Sequence, residues 1–105
     1  MEKETQVKLA AVLAPKTMKA VAVKAAQKGY SVEADVHVRP KENLVRISCI
    51  VYSSGIYDED GHLLYYEAED FDLWKYDTKA RALEAWNEYL AGRLEMVDSL
   101  PDLNK

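Results

Sequence analysis

Residues 30–54 read YSVEADVHVRPKENLVRISCIVYSS. Val32, Ala34, Val36 and Val38 alternate with Glu33, Asp35, His37 and Arg39. That period-two pattern describes a strand with one apolar and one polar face. Pro40 sets φ for a turn over residues 40–43, and residues 44–54 form the next strand. If Arg39 opposes Leu44, Val38 meets Val45, Val36 meets Ile47, Ala34 meets Cys49 and Val32 meets Val51. Every pair on that face is then apolar, and a slip of one residue destroys the match. An antiparallel pair of strands, at about 30–39 and 44–54, is therefore predicted. Its opposite face carries Glu33, Asp35, His37, Arg46 and Ser48, but also Leu44, Ile50 and Tyr52. Those large apolar groups face solvent if helices cover the first face.

Upstream, residues 4–28 read as helix. Val7, Ala11, Ala14, Met18, Val21 and Ala25 recur at spacings of three and four and so share a face. Pro15 interrupts the pattern, either kinking one helix near Ala11–Pro15 or opening a second helix in its first turn. Gly29 supplies a left-handed stop. Lys16, Lys19, Lys24 and Lys28 fall mainly off the stripe.

Downstream, residues 56–76 read IYDEDGHLLYYEAEDFDLWKY. Up to Trp74 there are seven carboxylates (Asp58, Glu59, Asp60, Glu67, Glu69, Asp70, Asp72) and no Lys or Arg. Asp60-Gly61 predicts a two-residue hairpin tip with both positions at positive φ. A third strand follows, at about 62–75. Two parities are open to it: Leu63, Tyr65, Glu67, Glu69, Phe71 and Leu73 on one face, Leu64, Tyr66, Ala68, Asp70 and Trp74 on the other. Either choice turns some aromatics outward beside Ile50 and Tyr52. Asp77 or Thr78 caps a last helix at about 78–98, with Leu83, Trp86, Leu90, Leu94 and Val97 as its stripe. Residues 101–105 read as a frayed tail. One α+β domain over residues 1–105 results: an N-terminal helix broken or kinked at Pro15, a three-stranded antiparallel sheet and a C-terminal helix, as a two-layer sandwich.

The composition narrows the chemistry. The net charge of −4 divides unevenly: residues 1–41 hold eight Lys or Arg against four Asp or Glu, and residues 42–105 hold six against fourteen. No apolar run approaches the ~20 residues of a membrane span, and MEKETQVK lacks a secretory pattern. One cysteine, Cys49, rules out an internal disulfide and fits a reducing, cytoplasmic setting. In the register above Cys49 and His37 point to opposite faces, which breaks a nucleophile pair. Two histidines and a cysteine on separate elements make no zinc set. A calcium hand needs its first ligand five residues before the glycine, where Ile56 stands. Four glycines form no phosphate loop. No catalytic residue, metal site or cofactor is therefore expected, and the chain reads as non-enzymatic.

Helix, three strands, helix is also the element order of double-stranded-RNA-binding domains, and the chain resembles that family in order alone. The family's lysine cluster at the start of its last helix would fall on KYDTKARA, residues 75–82, where Lys75, Lys79 and Arg81 are interrupted by Asp77. A nucleic-acid-binding domain using these and the first-helix lysines is the alternative function. Seven acids just upstream oppose phosphate contacts, so nucleic acid is not the favoured partner. The favoured reading is a protein-interaction module that engages a basic surface of its partner. It is similar in size, charge and style to small phage inhibitors of nucleic-acid enzymes, the anti-CRISPR proteins among them. Tyr and Trp are common interface anchors, and charge orients docking. The candidate contact residues are Ile50, Tyr52, Tyr57, Asp58, Glu59, Asp60, Tyr65, Tyr66, Glu67, Glu69, Asp70, Asp72 and Trp74. A homodimer through the same exposed sheet face is the competing use of that surface.

Overall fold

The computed structural model describes residues 1–39, 41–42 and 44–105, with Pro15 described by its main chain alone. Its elements are α1 (Lys3–Thr17), α2 (Lys19–Gln27), β1 (Ser31–Arg39), β2 (Leu44–Tyr52), β3 (Tyr66–Asp72), a 3-10 turn at Leu73–Lys75, and α3 (Lys79–Ser99). The fold is α+β, with an antiparallel sheet in the order β1-β2-β3. The β1–β2 register is the one the apolar pairing predicts, from Ser31 opposite Tyr52 to Arg39 opposite Leu44. Val45, Ile47, Cys49 and Val51 are completely buried. Each such aliphatic side chain contributes ~1.5–3 kcal/mol by leaving water, which is why the register is so strongly determined. Within the turn expected at 40–43, Pro40 and Asn43 lie outside the described residues.

Helices line the face carrying those four residues. α1 packs on β1 and β2, and α2 packs on β1 and α3. The inner line of α1 differs from the expected stripe. Ala11 is exposed, whereas Gln6, Leu9, Ala10, Leu13 and Ala14 are buried. Leu9 and Leu13 offer more apolar area than Val7 and Ala11, and so they take the inner face. Met18, Val21 and Ala25 keep the expected phase and are buried. Pro15 lies inside α1, and the interruption between α1 and α2 falls at Met18.

β3 begins at Tyr66 rather than near His62, because Ser53 redirects the chain. Ser53 N–H donates to the Tyr65 carbonyl (2.9 Å), and its hydroxyl accepts from Tyr65 N–H (2.9 Å). Gly55 then turns at φ +75°, and a small second hairpin forms beyond the sheet. In it Tyr57 bridges Leu63, and Asp58 N–H donates to His62 O at 2.7 Å. The tip is a three-residue loop, Glu59-Asp60-Gly61, rather than the two-residue turn expected. Gly61 N–H reaches Asp58 O at 3.1 Å, and Gly61 has positive φ, +83°. That combination marks a turn closed by a left-handed bulge residue.

The β2–β3 register resolves the third strand's parity. Val51 opposes Glu67, Cys49 opposes Glu69, and Ile47 opposes Phe71. Glu67, Glu69 and Phe71 therefore face the helices, while Tyr66, Ala68, Asp70 and Asp72 face the other way. On α3, Thr78 caps the N-terminus by accepting from Arg81 N–H at 3.2 Å. Its fully buried residues are Ala82, Trp86, Arg93 and Val97, and Leu83, Leu90 and Leu94 are only half-buried.

The tail expected to fray is docked. Leu103 N–H donates to Lys28 O (2.8 Å), Tyr30 Oη donates to Pro101 O (2.7 Å), and Asn104 Nδ2 donates to Gln27 O (2.9 Å). Partner groups at the α2–β1 turn satisfy this main chain, so it gains more than the freedom it loses.

Candidate interaction surface

The seven-acid stretch separates into three environments. On the helix side, Glu67 and Glu69 meet Arg93. Arg93 Nη1 lies 2.6 Å from Glu67 Oε1 and 2.8 Å from Glu69 Oε2, and the Arg93 side chain is 1% exposed. Tyr65 Oη donates to Glu67 Oε2 at 2.6 Å. The Tyr65 hydrogen bond and Arg93 together hold the Glu67 carboxyl below its usual range against the effect of burial. Burial, then the Glu67 carboxylate, pushes the Tyr65 phenol up to about 12. Burial also raises the Cys49 thiol, and the Arg93 guanidinium offsets part of that rise. Burial alone would make Arg93 easier to deprotonate, yet its carboxylate partners outweigh this and hold it charged.

On the open face, successive cross-strand pairs run Tyr52–Tyr66, Ile50–Ala68, Ser48–Asp70 and Arg46–Asp72. Arg46 Nε donates to Asp72 Oδ1 at 2.6 Å, and Arg46 Nη1 stands 3.4 Å from Asp70 Oδ2. Ser48 Oγ donates to Asp70 Oδ1 at 2.6 Å, and Tyr52 Oη donates to Glu33 Oε1 at 3.1 Å. Burial would raise the Asp72 carboxyl. The hydrogen bond and charge of Arg46, with Lys75 nearby, win and place it below its usual range. Beside this pair lies a hollow of about 490 Å³, lined by His37, Val38, Arg39, Leu44, Arg46, Ser48, Asp70 and Trp74. Asp70 and Asp72 are thus balanced by Arg46 and Lys75, whereas Glu67 and Glu69 share the single charge of Arg93 beneath the sheet.

The third environment is the tip. Asp58 Oδ1 accepts from Asp60 N–H and His62 N–H, both at 3.0 Å. Glu59 and Asp60 are exposed. Asp58, Asp60 and His62 place one ligand atom each within 4.8 Å of one another, the one such cluster of three His, Cys, Asp or Glu side chains among the described residues. Asp58 Oδ1 is already committed to the turn, and all three residues are exposed.

The candidate contact residues therefore do not form one patch. Tyr52, Tyr66, Ile50, Asp70, Asp72 and Trp74 share the open face. Tyr57, Asp58, Glu59 and Asp60 form the tip. Tyr65, Glu67 and Glu69 turn toward the helices, where Tyr65 meets Tyr30 edge-on at 5.3 Å. Arg46 and Arg93 organise the acids, and neither stands out by local pattern. The signal for Arg93 is that two acids on one parity lie between inward Tyr65 and Phe71, which demands a cation from the facing helix. Among the lysines, Lys24 pairs with Asp98 at 2.8 Å, and Lys28 Nζ donates to the carbonyls of Val97, Asp98 and Leu100. Both are thereby occupied at the C-terminal end of α3, where cations are favoured.

No helix among the described residues is long and apolar enough to cross a membrane. No protein-family model matches the chain, and no curated protein or solved structure matches it.

Proposed function

We propose that the protein is a non-enzymatic interaction module whose contact element is the 56–66 hairpin with the adjoining open sheet face, and that its partner is a protein with a basic surface. One observation carries this reading. Ile56, Tyr57, Leu64 and Tyr66 are 37%, 60%, 53% and 60% exposed, and they fall within eleven residues that also present Asp58, Glu59 and Asp60. Large apolar side chains rimmed by exposed acids are the composition of a docking patch: the rings desolvate and the charges orient the approach. The hairpin projects past the end of β2 and β3, held by Leu64 N–H to Ile56 O at 2.8 Å, so it presents a formed shape. An inhibitor of a nucleic-acid enzyme, occupying its basic groove, is the form this function takes most naturally, as in the small phage inhibitors. The nucleic-acid-binding alternative is weakened because Lys24 and Lys28 are committed to α3.

The test is affinity capture from the source cell, followed by titration of the captured partner against variants. Tyr66→Ala and the pair Glu59→Lys, Asp60→Lys should each weaken binding by at least ~10-fold with the circular dichroism spectrum unchanged. Affinity that is the same as wild type for both variants overturns the reading. Retention of RNA or DNA in a low-salt gel shift, without any protein partner, supports the alternative instead.

A further inference from the structure

The outer edge of β1 is the part of the sheet that the hairpin does not use. β1 has one neighbour, β2, and the nine residues Ser31–Arg39 contain no proline and pair with β2 in an unbroken register. Among the described residues, no main-chain hydrogen bond outside the sheet involves Val32–Val38. Natural edges are normally blunted by a bulge, a proline or an inward charge. This one has none of these, and Val36 and Val38, on the side that the helices cover further along, remain 39% and 38% exposed.

We propose that β1 pairs antiparallel with β1 of a second copy of this chain, with Val36 opposite Val36 across a twofold axis, so that two three-stranded sheets join into one of six strands. The strand is self-complementary in that register. On the open face Glu33 meets Arg39 of the second copy, Asp35 meets His37, and the same two pairs repeat across the axis. On the helix face Ala34 meets Val38 and Val36 meets Val36. Opposite charges directly across strands stabilise and like charges destabilise. Moving the register two residues one way sets Asp35 against Asp35. Moving it one residue sets Asp35 against Val36 and places the two helix layers on opposite sides.

A groove matches the proposed register independently. Ala14, Met18, Lys19, Ala22, Val32 and Ala34 line a hollow of about 390 Å³ between the helices and β1. The residue brought beside Ala34 is Val38 of the second copy, so an exposed valine enters an apolar groove on each side of the axis. Arg39 gives up little in turning to Glu33. Its present contact with Glu42, 3.5 Å, joins side chains 70% and 57% exposed, the kind of pair that contributes least.

Sedimentation velocity over a concentration series, joined to a charge swap, tests the pairing. Wild-type protein should approach twice the mass of the single chain. Glu33→Arg alone and Arg39→Glu alone should each remain monomeric. An equimolar mixture of the two variants should recover the doubled mass, because each supplies the charge the other lacks. Val36→Cys should link into a covalent dimer on mild oxidation, since directly opposed Cα atoms in an antiparallel pair are about 4.5–5.5 Å apart. Wild-type protein that stays monomeric throughout overturns the proposal. So does a dimer that survives both single charge reversals, or one that Val36→Cys does not link.

Discussion

Arg93 Nη1 sits 2.6 Å from Glu67 Oε1, so a guanidinium carried by α3 is anchored on β3 beneath the sheet. Its partners are graded in exposure: Glu67 is 36% exposed and Glu69 54%. Removing the cation leaves two like charges side by side over Cys49, partly out of water. Truncation of one partner in such a pair is costly, at ~3 kcal/mol. Arg93→Ala is expected to lower unfolding free energy by about that amount, read from urea denaturation. Glu69→Gln, at the more exposed partner, is expected to cost under ~1 kcal/mol.

Acid should unfold the protein through carboxylates that are held ionised. Glu67 and Asp72 both lie below the ordinary carboxylate range in the folded state. The stability they contribute is complete above the unfolded value, about 4, and is lost as pH falls through the folded values. The denaturation midpoint should therefore decline below about pH 4, and Glu67→Gln should make that decline shallower. Tyr65 adds an alkaline limb of opposite sense. Its phenol is raised to about 12, so its contribution is present below the unfolded value of about 10 and is lost as pH rises through about 12. A midpoint that is flat with pH on the acid side contradicts the arrangement.

Two glycines should respond oppositely to alanine. Gly29 has φ +93°, and an added Cβ would stand 3.0 Å from Leu103 Cβ. Gly29→Ala should destabilise by ~1–2 kcal/mol from the left-handed backbone alone, with further loss if the docked tail is displaced. Gly92 lies within α3, with open space around its added Cβ. Gly92→Ala should stabilise by ~0.5–1 kcal/mol. Thermal melts of the two variants measure both.

The two tryptophans should separate spectroscopically. Trp86 is buried, and its Nε1–H donates to Thr17 Oγ1 at 2.8 Å, linking α3 to α1. Trp74 is 42% exposed. Iodide should quench Trp74 and spare Trp86, so Trp74→Phe should leave a blue-shifted emission that iodide does not touch. Thr17→Val removes the acceptor and should cost ~1–3 kcal/mol, because the indole N–H is then buried without a partner.

The β1–β2 register could be read directly because a period of two leaves one pairing in which every inward contact is apolar. α1 was harder. A line through Val7 and Ala11 and one through Gln6, Leu9 and Leu13 both keep helical spacing, one on each side of Ala14, and only packing against the sheet chooses the line with more area. The third strand hid its parity because both faces carry acids and aromatics. What separates Glu67 and Glu69 from Asp70 and Asp72 is which arginine each pair meets, and those arginines lie more than twenty residues away in either direction. The tail shows the same limit. Nothing in PDLNK signals order, since its partners, Gln27, Lys28 and Tyr30, are some seventy residues upstream.

Cys49 gives the protein a built-in clock for its own opening. It is the one thiol in the chain, fully buried on β2, with a pKa raised by that burial. A thiol reagent cannot reach it until β2 parts from the helices over it, so the alkylation rate counts excursions of the central strand into solvent. Fast local breathing and slow global unfolding then become distinguishable by whether denaturant accelerates labelling, with no probe to be introduced.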